Sequence, residues 1–303
     1  MTESSKGTIY TLLAVAMFAT LGTGFKMAVT RMSSYSVVVW IGIWATLMLF
    51  ALLVKERKIG MMMTELRQRP LFFPAAGAIG LGVQQILCLM TYEYIPASQA
   101  VILHYSYPLM MLLLSWLLFR ESTGLWALMC VALGFVGVVV LVSAGGGLGD
   151  VRLSTGVAIA LATAFSFALF CVLIKHANFA VTAGMFLLNL FGLLFLLCLL
   201  PLYPMQWLIS GTDMLLVAYL GVFPTAVAFL LWNRALRMIP TGRSSNCALL
   251  VPILSLVCIT VVLKEQISPM QAVGMTIVLA SVFLNVRHRP EAAVKVVPEL
   301  LNI

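Results

Sequence analysis

Apolar stretches of about 20 residues, each long enough to cross a hydrocarbon core about 30 Å thick, recur along this chain from one end to the other. They fall at about 8–28, 34–54, 70–91, 97–119, 123–143, 154–174, 180–203, 213–233, 242–263 and 268–286. Lipid offers no hydrogen bonds, so a spanning backbone must satisfy its own N–H and C=O groups. Runs of this length do so as helices, because barrel strands would be shorter and would alternate. The expected fold is therefore an all-α integral membrane protein of ten transmembrane helices, with little chain left for a soluble domain. Composition agrees: 62% of residues are hydrophobic and 9% charged, against about 25% charged in soluble domains. The first run has only Lys6 before it and matches a later segment, so it reads as a span and not as a signal peptide.

The charges give an orientation. On the side that holds the N-terminus lie 14 of the 18 Lys and Arg residues: Lys6, Lys55, Arg57, Lys58, Arg67, Arg69, Arg120, Lys175, Arg234, Arg237, Arg243, Arg287, Arg289 and Lys295. Only Lys26, Arg31, Arg152 and Lys264 fall on the other. By the positive-inside rule both termini are expected in the cytoplasm, including a short tail at 289–303. The net charge of +8 sits in short loops at membrane ends, where it contacts lipid head groups; no basic domain exists to hold nucleic acid. The six cysteines all fall inside spans and form no C-x-x-C pair, which points to buried filler and to neither disulfides nor zinc.

The chain is also written twice. An offset of 144 carries Ile95-Pro96 onto Ile239-Pro240, Pro108 onto Pro252, and Arg120-Glu121 onto Lys264-Glu265. Upstream, an offset of 149 carries Gly7, Leu12, Phe18, Ala19 and Lys26 onto Gly156, Leu161, Phe167, Ala168 and Lys175. Each copy holds five helices, an odd number, so the second copy enters the membrane from the opposite face. The expected architecture is a 5+5 inverted-topology repeat around a central cavity, with domains at 7–145 and 152–288. Such copies can open a shared site first to one side and then to the other, as alternating-access transport requires.

The segments "YIPASQAVILHYSYPLMMLLLSWLLFRES" and "MIPTGRSSNCALLVPILSLVCITVVLKEQ" carry a further likeness. With the two five-helix halves, they resemble the drug/metabolite transporter (DMT) superfamily, specifically its ten-helix members with two EamA-type domains, over about residues 7–287. The resemblance implies a bundle whose first, third and fourth helices of each half surround a cavity, with the second helices as gates and the fifth helices peripheral. It also implies a bacterial inner-membrane exporter of small metabolites such as amino acids, including aromatic ones, while relatives carry nucleotide sugars or phosphosugars.

Comparison of the halves separates scaffold from site. Pro108 and Pro252 occur in both; each removes one backbone hydrogen bond and kinks its helix, freeing the carbonyls of His104 and Ala248. Glu121 and Glu265 also recur, beside Arg120 and Lys264, as an interfacial ion pair, as a cap on the following helix or as a proton-coupling group. By contrast His104, Tyr105 and Tyr107 map onto Ala248, Leu249 and Val251. The fold does not require their polarity, which marks them as substrate-binding candidates. Tyrosine offers an apolar face with a hydroxyl, and a neutral imidazole both donates and accepts a hydrogen bond. The plainer alternative is that His104 bonds a neighbouring helix.

Gln84 and Gln85 are too polar for lipid and serve either as interhelical glue or as substrate contacts. Ser244, Ser245 and Asn246 open the ninth span, where capping competes with a site role for Ser245. Asn189 reads as structural, Phe18 and Phe167 as packing first and cavity lining second, and "GTG" at 22–24 as close helix approach. No span holds a mid-membrane Asp or Glu, there is no Gly-Lys-Ser/Thr phosphate loop, and no His-Glu-x-x-His or similar cluster exists. Neither an enzyme, a cofactor nor a metal is expected; the partners expected are a small-molecule substrate and the lipid bilayer. Three other readings remain at this point: a nucleotide-sugar or phosphosugar carrier, which should show paired cations in its cavity, a passive channel, and a membrane scaffold protein.

Overall fold

Local signals in the sequence set where the helices begin. Ser33, Ser154 and Ser210 are N-caps whose hydroxyls accept from the backbone N–H of Ser36, Val157 and Asp213. Pro96 precedes another start with an extended ψ of 147°. The structure, a computed structural model, describes residues 3–119, 125–143, 154–177, 179–235, 238 and 250–288. Fifteen α-helices run through it, and no strand occurs among the described residues.

In the first half they are α1 (Glu3–Ala19), α2 (Leu21–Val29), α3 (Ser34–Lys55), α4 (Ile59–Gln68), α5 (Phe72–Gly77), α6 (Gln84–Tyr94), α7 (Ala97–His104), α8 (Tyr107–Phe119) and α9 (Leu125–Ser143). The second half contributes α10 (Thr155–His176), α11 (Val181–Cys198), α12 (Gly211–Leu220), α13 (Ala228–Ala235), α14 (Leu250–Cys258) and α15 (Pro269–His288). Among the described residues, seven helical stretches are long and apolar enough to cross a membrane: Ser5–Val29, Ser34–Lys55, Phe72–Tyr94, Ala97–Leu118, Thr155–Ile174, Val181–Cys198 and Gly211–Ala235. Three shorter apolar stretches, Leu128–Val140, Leu250–Leu263 and Pro269–Leu284, stand where the remaining spans are expected. The start of the ninth span, including Ser245, lies outside the described residues, as do Glu121 and the tail at 289–303.

Several spans are assembled from pieces, which the apolar pattern does not announce. The first is interrupted at Thr20, whose hydroxyl bonds the Met17 carbonyl at 2.8 Å. The third and eighth each pass through a wide π turn, at Ala78–Val83 and Gly221–Val227. Shifted by 144 residues, the first of these turns falls within the second.

Packing follows an exchange between the halves. Helix α1 lies on α13 while α10 lies on α6, and α3 packs on the π turn at Gly221–Val227 while α11 packs on the one at Ala78–Val83. Two glycines make the correspondence atomic. A Cβ on Gly77 would sit 2.6 Å from the Leu188 carbonyl oxygen and 3.0 Å from the Gly192 nitrogen; one on Gly221 would sit 2.6 Å from the Ile41 oxygen and 3.1 Å from the Ala45 nitrogen. Gly77 and Gly221 are 144 residues apart, and Ile41 and Leu188, like Ala45 and Gly192, are 147 apart. The same contact is thus made twice, each time between the third span of one half and the second span of the other. Helices α9 and α15 pack chiefly on each other, with Gly137 against the Val278 backbone.

Candidate functional site

Pro108 is the second residue of α8, and the fourth span is broken just before it. Proline has no N–H to give to residue 104, so α7 ends at His104 and the chain turns through Tyr105, whose φ and ψ are −68° and 2°. Ser106 holds the break together: its N–H and hydroxyl both reach the Leu103 carbonyl, at 3.1 and 2.7 Å, and its own carbonyl accepts from Leu109 and Met110. Pro252, 144 residues on, lies within α14, the described part of the matching span in the second half.

The break gathers aromatic rings. The His104 centroid lies 5.6 Å from Tyr107, 6.2 Å from Tyr105 and 5.2 Å from Phe167 on α10. Tyr107 meets Phe167 nearly edge-on at 4.8 Å, and Phe170 follows at 6.2 Å. His104, Tyr105 and Tyr107 each keep part of their surface accessible. Yet the His104 Nδ1 atom is buried and has no hydrogen-bond partner among the described residues. Left that way, a buried polar group costs about 1–3 kcal/mol.

The other sequence candidates separate. Gln84 is buried and Gln85 half-buried at the start of α6, which packs on α10, the helix that carries Phe167. Asn189 donates to the Met185 carbonyl one turn back at 2.9 Å, a bond internal to its helix. Glu265 does cap a helix, but not the one that follows it. Its two carboxylate oxygens accept from Ala97 N at 2.8 Å and Ser98 N at 3.0 Å, at the start of α7 in the opposite half. The left-handed backbone at Lys264, φ 55°, turns the chain just before it.

Sequence reasoning passed over several groups that hold the halves together. On the side of the α3 C-terminus, Glu56 pairs with Lys58 at 2.8 Å and with Arg234 of α13, and accepts from Thr182 at 2.9 Å. Nearby, Glu65 accepts from Ala180 N at 2.8 Å, just before α11. Within the first half, Lys26 donates to the Tyr92 carbonyl at 2.6 Å, at the end of α6. A lone acidic residue among cations, as at Glu56, was the available signal; the distant partners left none. No group of three His, Cys, Asp or Glu that could hold a metal ion occurs among the described residues.

Two halves that exchange the same contacts, with an aromatic cluster at the break in one of them, invite comparison with known families. The description "EamA-like transporter family" matches twice, at residues 5–143 and 154–287. The chain belongs to the EamA-like transporter family. That makes it a multi-pass membrane transporter of the DMT fold. An uncharacterized transporter of Bacillus subtilis (strain 168), YetK, is 26% identical over 222 residues, 70% of this chain and 67% of that one. An uncharacterized transporter of Clostridium kluyveri is 21% identical over 298 residues, 95% of both chains. A crystal structure with a TM-score of 0.64 covers 92% of this chain and 96% of its own at 21% identity, a likeness of fold.

Proposed function

We propose that this EamA-family transporter exports small metabolites, amino acids foremost and aromatic ones among them, by alternating access between two inverted halves at 7–145 and 152–288. The observation that carries the reading is the unpartnered His104 nitrogen inside a ring cluster, at a helix break beside a proline that the sequence repeats as Pro252 without repeating His104, Tyr105 or Tyr107. A ligand with one polar end and one apolar body relieves the nitrogen and lies on the faces of Tyr105, Tyr107 and Phe167. None of these side chains carries a formal charge when the imidazole is neutral, which favours a passenger of zero net charge over a sugar phosphate. Support for Gln85 comes from the repeat: its counterpart 144 residues on is Phe229, which touches Phe18, the counterpart of Phe167. Gln84, Gln85 and Ser245 are assigned to the substrate with His104, Tyr105 and Tyr107. In this reading a bacterial inner membrane is the setting and both termini are cytoplasmic.

Reconstitution in liposomes tests it, with a panel of labelled amino acids and nucleotide sugars. Saturable uptake with trans-stimulation is expected for amino acids, reduced at least tenfold by His104→Ala and by Tyr107→Ala. Uptake unchanged in both variants removes the site; uptake of nucleotide sugars alone replaces the substrate class; non-saturable flux makes the protein a channel.

A further inference from the structure

Helix α4 lies between the second and third spans and is not part of either. Its inward face is Met62, Glu65 and Leu66: both apolar side chains pack on the core around α11, and Glu65 holds the Ala180 N–H. Ile59, Met63 and Arg67, spaced four residues apart, form a second stripe along the helix, and all three are exposed. The surrounding sequence carries five cations, Lys55, Arg57, Lys58, Arg67 and Arg69, against two acids, Glu56 and Glu65. Both acids are turned to protein partners: Glu56 to Lys58, Arg234 and Thr182, Glu65 to the backbone before α11. Lys55, Arg57 and Arg67 are left exposed beside the apolar stripe. A left-handed φ of 56° at Arg57 turns the chain between α3 and α4, and α4 packs on α11.

The repeat shows that the scaffold does not need these charges. The connection between second and third spans in the other half exposes Leu202, Tyr203, Trp207 and Leu208, and no Lys or Arg occurs from 176 to 233. We propose that α4 and its preceding turn form a docking surface for anionic phospholipid head groups, with acyl chains against Ile59 and Met63 and phosphate against Arg57 and Arg67. Basic residues beside an apolar helix face meet the two chemistries of such a lipid in the order a membrane surface presents them. Because α4 joins α3 directly and α11 through Glu65, a bound head group braces the second spans of both halves.

The test uses the full-length protein in a neutral detergent, with thermal unfolding followed during titration by short-chain phosphatidylglycerol, phosphatidylcholine or glycerol 3-phosphate. Phosphatidylglycerol is expected to raise the unfolding midpoint and the other two to leave it in place. R57Q/R67Q needs about 25-fold more phosphatidylglycerol for half the shift, and R67Q alone about fivefold more, at roughly one such factor per basic residue near an anionic surface. R57K/R67K retains the response. Equal shifts from both phospholipids, an unaltered titration in R67Q, or glycerol 3-phosphate matching phosphatidylglycerol would each overturn the proposal, the last by showing a soluble phosphate site.

Discussion

The contacts of Gly77 and Gly221 are near copies of one another; the surroundings of Phe167 and Phe18 are not. Each glycine brings the third span of its half against the backbone of the other half's second span. Phe167 and Phe18 hold equivalent places in the sequence, yet Phe167 touches His104 and Tyr107 while Phe18 meets Phe229 at 5.0 Å and Trp232 at 6.5 Å. Backbone packing tolerates no divergence because a methyl group has nowhere to go. Ring packing tolerates a change of partner, and there one copy has acquired an imidazole and two phenols. The duplication therefore preserves what holds the bundle and leaves the ring cluster free to differ between the halves.

The sharpest way to break this comparison is to add a side chain at the paired glycines. Gly77→Val and Gly221→Val should each cost about 3 kcal/mol, since both meet backbone that cannot step aside. Thermal unfolding in detergent would show two similar losses, and a tolerant member of the pair would refute the equivalence. A next test sets His104→Ala against Phe18→Ala in reconstituted vesicles. Transport should fall at least tenfold for the first and less than threefold for the second, with both variants folded.

Smaller effects probe the contacts between halves. Glu265→Gln retains one carbonyl oxygen but gives up the charge that faces the start of α7, and should lower stability by about 1 kcal/mol. At Glu56, burial pushes the carboxyl up, but the bonds from Lys58 and Thr182 and the charge of Arg234 outweigh it and hold it below its ordinary value of 4.5. A depressed carboxyl contributes stability above its unfolded value and loses it as the pH falls through the folded one. Acidification below about pH 4.5 should therefore weaken this clasp by about 0.5 kcal/mol, and Glu56→Gln should remove that part of the pH dependence of unfolding.

What could be read from the sequence follows the solvent. Lipid forbids free backbone groups, so the ten apolar runs and the break at Pro108 announced themselves, and His104 stood out against a run of Ile, Leu and Met. Phe167, the ring that completes the cluster, was marked only by its recurrence with Phe18, as packing first and cavity lining second, because an aromatic residue in an apolar span carries no mark of its own. The π turns and the interruption at Thr20 escaped for a related reason: they alter hydrogen-bond register without altering hydropathy. Glu265 was legible as a cap and illegible as to which helix, since the chain reverses at Lys264 and sends the carboxylate to residues 97 and 98.

Where Gly77 and Gly221 sit, no side chain lies between the neighbouring backbones to act as a bearing. Neither second span can slide along its third-span neighbour without lifting main chain off main chain. Any transport cycle that keeps both contacts must therefore hold α3 to the π turn at Gly221–Val227 and α11 to the one at Ala78–Val83, so that each half grips the other at two matched points while the rest of the bundle changes shape.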